Sequence, residues 1–366
     1  MDTSRFQLVW TFFSIIVKKI SSAELQEYRF LFVELLLCSH CAVVIEGMNE
    51  IWDASAITDQ SGRRVLVTGA NSGIGYPAAY ELARNGATVI LACRDSARGE
   101  AALARLKREA PGAQVELGLV DLASLESVRT FAAEELARGL PLDLLINNAG
   151  VMAPPKRLES ADGFELQFGT NVLGHFALTG LLLPALERAA AMPSSPSPRI
   201  VMLASIAHKQ GRLDFDDPQA TRSYSPMRSY QQTKLADLML AFEMDRRLKA
   251  AGSRILANAA HPGVANTNLF QTGDFSPVER SIRRMAGHLI GTLLNSDAEG
   301  ALPTLYATVA PGAVSGGYYG PQGFLEMRGG DVGEAKVAAQ ARDQAAAVRL
   351  WSLCEELTGV SFLDPA

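Results

Sequence analysis

The stretch Val65-Leu66-Val67-Thr68-Gly69-Ala70-Asn71-Ser72-Gly73-Ile74-Gly75 decides the reading of this chain. Three apolar residues predict a short buried strand. The glycines after them predict a tight turn, and the pattern from Gly75 to Asn85-Gly86 predicts a helix. Strand, glycine turn and helix N-terminus make an anion site: backbone N–H groups and the positive helix end face a pyrophosphate, and missing side chains let it approach. Gly69, Asn71, Ser72, Gly73, Ile74 and Gly75 are therefore candidate dinucleotide-binding residues.

Working outward, Thr88 to Cys93 predicts a second strand. It ends in Arg94-Asp95 about twenty residues past the turn, where a ribose-reading residue belongs. An acid there suits NAD and an arginine suits the 2′-phosphate of NADP. Arg94 comes first, in line with the strand end, so NADP(H) is favoured over NAD(H). The competing reading pairs Arg94 with Asp95 on the surface. A helix over Ala97–Ala110 precedes a strand over Gln114–Val120 that runs into Asp121-Leu122. A helix over Leu125–Arg138 then precedes a strand over Leu142–Ile146 that runs into Asn147-Asn148-Ala149-Gly150. This alternation predicts an α/β, Rossmann-type, doubly wound parallel sheet. Its ligands gather at the strand C-termini, where Arg94, Asp121, Leu122, Asn148, Ala149 and Gly150 all fall.

Phe164 to Ala191 reads as one long helix carrying Asn171, and the strand Arg199–Ala204 delivers Ser205. A serine in that position is by itself a turn former or cap. Tyr230 and Lys234 lie four apart where an amphipathic helix starts, hence on one face, and a nearby cation stabilises phenolate. His175 and His208 read as structural. The loop Gly211–Arg228 is long enough to shape a substrate mouth. The strand Ile255–Ala260 ends in His261-Pro262-Gly263. Residues Asn268 to Leu294 read as a lid or a packed surface helix. A helix over Asp297–Ala310, a short strand around Gly317–Tyr319 and a helix over Ala335–Thr358 complete the pattern.

Composition bounds the rest. At 366 residues, 48% hydrophobic and 20% charged, the chain suits one large globular domain, and no linker divides it. A net charge of −5 without a basic stripe argues against a nucleic-acid partner. Four cysteines make no disulfide framework, and Cys38-x-x-Cys41 lacks a second ligand pair, so no metal is expected. Residues 1–47 differ in character from the remainder of the chain: two apolar runs, each too short or too polar to span a bilayer, precede Met48. They read as an extension from an upstream start, with a membrane anchor or a packing segment as alternatives. The Rossmann domain is placed over 48–366 and the protein in the cytoplasm, with membrane association the alternative.

Taken together, Thr68 to Gly75, Asn147-Asn-Ala-Gly150, Asn171, Ser205, Tyr230-x-x-x-Lys234 and Pro262-Gly263 resemble, in order and spacing, the short-chain dehydrogenase/reductase superfamily. Ala92-Cys93-Arg94-Asp95, Leu173-Gly174-His175-Phe176 and Ser205-Ile-Ala-His208 resemble its branch of retinol dehydrogenases, WW-domain-containing oxidoreductase and protochlorophyllide-reductase-like enzymes. The resemblance implies NADP(H)-dependent interconversion of an alcohol with its aldehyde or ketone. It makes Tyr230 the general acid/base, Lys234 its electrostatic partner and ribose ligand, Ser205 the donor to the substrate oxygen and Asn171 the support of a relay water. It implies that Asp121 and Asn148 contact the adenosine, and that Pro262, Gly263 and Thr267 pack along the nicotinamide. The implied substrate is a moderately hydrophobic alcohol or carbonyl compound, and a homo-oligomer fits the long helices. Thr233 stands where serine is common in that branch, and Asp237 where asparagine is common. The competing readings are a nucleotide-sensing or scaffold protein that lost turnover, and a carbon–carbon double-bond reductase on the same fold.

Overall fold

The computed structural model describes residues 52–193, 195–264, 295–329 and 331–364. The 1–47 segment, with its C-x-x-C, and the stretch from Asn268 to Leu294 lie outside the described residues.

Eight strands form one sheet in the order β3-β2-β1-β4-β5-β6-β7-β8. They are β1 (Arg64–Thr68), β2 (Thr88–Cys93), β3 (Val115–Leu119), β4 (Leu144–Asn147), β5 (Arg199–Leu203), β6 (Leu256–Ala260), β7 (Tyr318–Pro321) and β8 (Val332–Glu334). All neighbours pair in parallel except β7 and β8. The helices are α1 (Gly75–Arg84), α2 (Ser96–Glu109), α3 (Leu125–Ala137), α4 (Gly174–Ala190), α5 (Pro226–Ala250), α6 (Asp297–Val309) and α7 (Gln344–Thr358).

The short apolar runs are strands because both of their faces are buried. Val65 and Val67 of β1 join Leu144 and Ile146 of β4 in a core completed by Leu82 of α1, Leu106 of α2 and Leu305 of α6. The alternate residues Leu66 and Leu145 point the other way, into a core with Phe131 of α3, Phe176 of α4, Leu235 of α5 and Trp351 of α7. This period of two, apolar on both sides, is what helices covering both faces of a parallel sheet require. The strand order reverses between β1 and β4, which opens a crevice at their C-terminal ends.

Two expectations need correction. The long helix around Asn171 does not start as an α-helix: Phe168–Leu173 is a buried π-helical turn that leads into α4. The stretch Phe168–Ala190 is long and apolar enough to cross a membrane by composition, yet 83% of its apolar window is buried in the fold, as a core helix requires. The C-terminal helix begins at Gln344 rather than Ala335, because Asp343 caps it by accepting from Ala346 N. Ahead of that cap, Ala335 N donates to Tyr318 O and Ala339–Arg342 forms a 3-10 turn, so the alanine-rich composition there does not give an α-helix. Finally, the sequence gives no sign of β8. Three residues with a central Gly333 carry no readable period, and its pairing with Pro321 marks an antiparallel sheet edge.

Candidate active site

The glycine turn joins β1 to α1 at the reversal point. Gly69 and Gly73 adopt φ of 66° and 54°, the left-handed region that glycine occupies freely. Gly75 allows close approach: a Cβ there would lie 2.5 Å from Asn148 Nδ2 and 2.6 Å from Gly69 O. No side chain caps the α1 N-terminus at Ile74, so its first-turn N–H groups are left for another acceptor. Thr68 Oγ1 accepts from the backbone N–H groups of Asn148 and Ala149 at 2.8 and 2.9 Å, while Asn148 Nδ2 donates to Thr68 O at 2.7 Å. The turns after β1 and β4 are thus locked together as one wall of a cleft of about 730 Å³. A dinucleotide fits this cradle by the chemistry of its donors and the side chains it lacks.

At one end of the cleft lie Arg94, Asp95 and Arg98, with Asp121 and Leu122 beyond β3. Arg94 is exposed at the end of β2. Asp95 does not take it as a partner. Its carboxylate caps α2 by accepting from Arg98 N at 2.9 Å and pairs with the Arg98 guanidinium at 3.4 Å. The proposed Arg94–Asp95 surface pair is therefore replaced by an Asp95–Arg98 pair, because the start of α2 supplies both a backbone donor and a cation. Asp121 Oδ1 accepts from Ala123 N at 3.0 Å, which fixes the carboxylate at the rim.

At the other end, Gly150 lines the cleft, and a Cβ on it would sit 3.4 Å from Asn171 Oδ1 and 4.0 Å from Lys234 Nζ. Both groups are buried just behind Gly150, outside the cleft lining, and Tyr230 and Ser205 also lie outside that lining. Tyr230 and Lys234 lie one turn apart on α5, with Lys234 Nζ 6.0 Å from the Tyr230 ring centroid. Lys234 donates to Leu203 O at 2.7 Å and to Asp237 Oδ2 at 2.9 Å. Burial disfavours the ammonium, but Asp237 and Tyr230 outweigh it and hold Lys234 above its ordinary value. Asn171 Nδ2 donates to Val151 O and to Thr233 Oγ1, which in turn donates to Tyr230 O at 2.8 Å. The π-helical turn is thereby keyed to the segment between tyrosine and lysine.

Ser205 follows β5 as the cap of a 3-10 turn, Ile206–Gln210, accepting from Ala207 N at 3.2 Å. That turn packs against α5, which brings the serine to the tyrosine's helix. Among the described residues His175, His208 and His261 are interior groups. Burial pushes His175 down to about 4, and Lys234 adds to the effect. Neutral His175 then donates from Nδ1 to Asn171 O and accepts from Thr68 Oγ1 at Nε2, each at 2.9 Å, tying the glycine turn to Asn171. His208 is held by Ser205 O at 2.7 Å, and burial pushes His261 down to about 3. Pro262 and Gly263 lie past β6 and outside the cleft lining. Pro262 O accepts from Asn295, and Gly263, at φ 69°, leaves room for Met327 O. Thr267 lies outside the described residues. The loop Gly211–Arg228 forms its own polar crevice with the first turn of α5, separate from the cleft.

Sequence reasoning missed Thr68, Arg98, His175 as an anchor of Asn171, and Asp237 as the lysine's partner. Asp237 had a readable signal, since a carboxylate three residues from a lysine shares its helical face.

The sequence profile of the short chain dehydrogenase family matches residues 63–274. Mouse polyprenol dehydrogenase is 41% identical over 304 residues, covering 82% of this chain and 85% of its own. Human retinol dehydrogenase 13 is 42% identical over 303 residues, with the same two coverages of 82% and 85%. A crystal structure of an uncharacterized protein from Mycobacterium paratuberculosis superposes with a TM-score of 0.67 at 38% identity, over 87% of this chain and 100% of that one.

Proposed function

The chain belongs to the short-chain dehydrogenase family and is an oxidoreductase; from that premise we propose that it interconverts an alcohol and its aldehyde or ketone with NADP(H), using Tyr230 as the acid/base. The observation that carries this reading is the pairing of Tyr230 with Lys234 on α5, with Lys234 Nζ 4.0 Å and Asn171 Oδ1 3.4 Å from where a Cβ on Gly150 would sit, Gly150 lining the same cleft as the glycine turn. A nicotinamide nucleotide bound in that cleft supplies or accepts the hydride. The glycine-turn N–H groups and the α1 N-terminus hold its pyrophosphate. Arg94 meets the 2′-phosphate. The third N–H of Lys234, not used by Leu203 or Asp237, reaches the ribose.

During reduction negative charge grows on the substrate oxygen. The Ser205 hydroxyl donates to that oxygen, and Tyr230 Oη gives it a proton, with Lys234 stabilising the phenolate left behind. Oxidation reverses both transfers. Two named relatives are dehydrogenases of polyprenol and retinol, which supports an apolar alcohol as the substrate class.

The experiment is to follow NADPH and NADH consumption across a panel of apolar aldehydes, ketones and enones. Reduction of aldehydes or ketones to alcohols is expected. A saturated carbonyl as the sole product, or no turnover on any member, overturns the reading. Arg94→Ala tests the cofactor preference. Losing an Arg–phosphate contact of about 1.5–3 kcal/mol is expected to weaken NADPH roughly 10- to 100-fold and to leave NADH nearly unchanged. Fluorescence titration of both nucleotides checks this; equal losses would remove Arg94 from the 2′-phosphate.

A further inference from the structure

The Lys234–Asp237 pair is built differently from a lysine that faces only its tyrosine and its cofactor. Asp237 is 2% exposed, its Oδ2 lies 2.9 Å from Lys234 Nζ, and its Oδ1 is buried without a hydrogen-bond partner. An ammonium has three N–H donors. Two are fixed here, by Asp237 one turn along α5 and by the Leu203 carbonyl at the end of β5. We propose that Asp237 is a positioning residue for the Tyr230–Lys234 pair: it clamps the ammonium so that one N–H is left for the cofactor, and its charge offsets the cation beside Tyr230, which sets the pH range over which the site turns over. This rests on the alcohol–carbonyl reading above.

The surroundings make Asp237 the variable group. Lys234 stays charged. His175, which faces the pair from α4, is neutral above about 4. Cys354, which faces Asp237 from α7, has its thiol pushed up by burial and by that carboxylate, and remains protonated. Burial pushes Asp237 itself up to about 6, with Lys234 opposing the rise. Above that pH the pair is neutral and the phenolate has less support. Below it the full cation faces Tyr230. Asp237→Asn keeps the shape and an acceptor for Lys234 but removes the charge, so it fixes the second condition at every pH.

The test compares pH profiles of kcat/KM for alcohol oxidation in wild type, Asp237→Asn and Asp237→Ala. Asp237→Asn is expected to move the acidic limb of the profile to lower pH by about one pH unit, since an uncompensated opposite charge within 4–6 Å favours the anion by at least that much. Asp237→Ala is expected to move it the same way and also to raise the cofactor KM several-fold, because the clamp is gone. A merely structural role lowers the whole profile without moving it, and that result overturns the proposal. Infrared titration of the carboxyl band reads the pair without turnover: a buried carboxyl titrating near pH 6 in wild type and absent in Asp237→Asn supports the proposal. A carboxyl band that stays in its protonated form from pH 5 to 8 overturns it, because no carboxylate charge then offsets the cation. If wild type turns over nothing while that band titrates, the functional reading fails and the assignment of the buried charge stands.

Discussion

Tyr230→Phe is expected to cut kcat/KM for both directions of the reaction by about 10³-fold or more, near the upper range for a positioned proton donor, while the dissociation constant for NADPH stays within about two-fold of wild type. The change is small in everything except chemistry. Tyr230 is 9% exposed, and its ring packs beside Lys234 at 6.0 Å, a contact phenylalanine keeps. Among the described residues its hydroxyl has no protein hydrogen-bond partner, so removing it orphans no buried group and stability should hold. Single-turnover kinetics with nucleotide fluorescence separate the two quantities. Residual activity above a tenth of wild type would mean that another group delivers the proton, and Ser205 would be the next residue to change.

The legibility of this chain tracks its physics. β2 is readable to its true ends, Thr88 and Cys93, because a strand buried on both faces leaves a continuous apolar run bounded by turn residues. The glycine turn is legible because its chemistry depends on absent side chains, which sequence records directly. Ser205 is less so. Its role as a cap is visible locally, but its place beside α5 depends on how a 3-10 turn packs. The π-helical turn is illegible, since Gly169, Thr170, Asn171 and Val172 weaken an α-helix without specifying what replaces it, and the wider turn is keyed by Asn171 to Val151 and Thr233. Asp237 shows the same limit: its spacing to Lys234 is a sequence fact, but its burial, which turns a common surface pair into a constraint on the site, is tertiary.

Lys234→Met is expected to abolish turnover and, unlike Tyr230→Phe, to destabilise the fold in a pH-dependent way. Methionine matches the stem in length and flexibility, so the loss is chiefly that of charge. Removing one partner of a buried pair costs about 3–5 kcal/mol, because the other charge stays buried and uncompensated. Here the remaining charge is Asp237, whose Oδ1 already lacks a partner. Burial holds its folded value up to about 6 even with the lysine present, and losing the lysine raises it further. Linkage gives the sign. A carboxyl whose folded value lies above its unfolded value near 3.9 favours folding fully below the unfolded value, and that contribution is lost as pH rises through the folded one. Urea midpoints of wild type and Lys234→Met should therefore lie closer together at pH 5 than at pH 8. Adding Asp237→Leu to Lys234→Met should recover most of the lost stability at pH 8 and none of the activity, because it removes the stranded charge without returning the cation. Equal deficits at both pH values would mean that the Asp237 carboxylate finds solvent or another partner once the lysine is gone. The buried pair would then not be the constraint that holds Lys234 against Leu203 and leaves its remaining N–H for the cofactor.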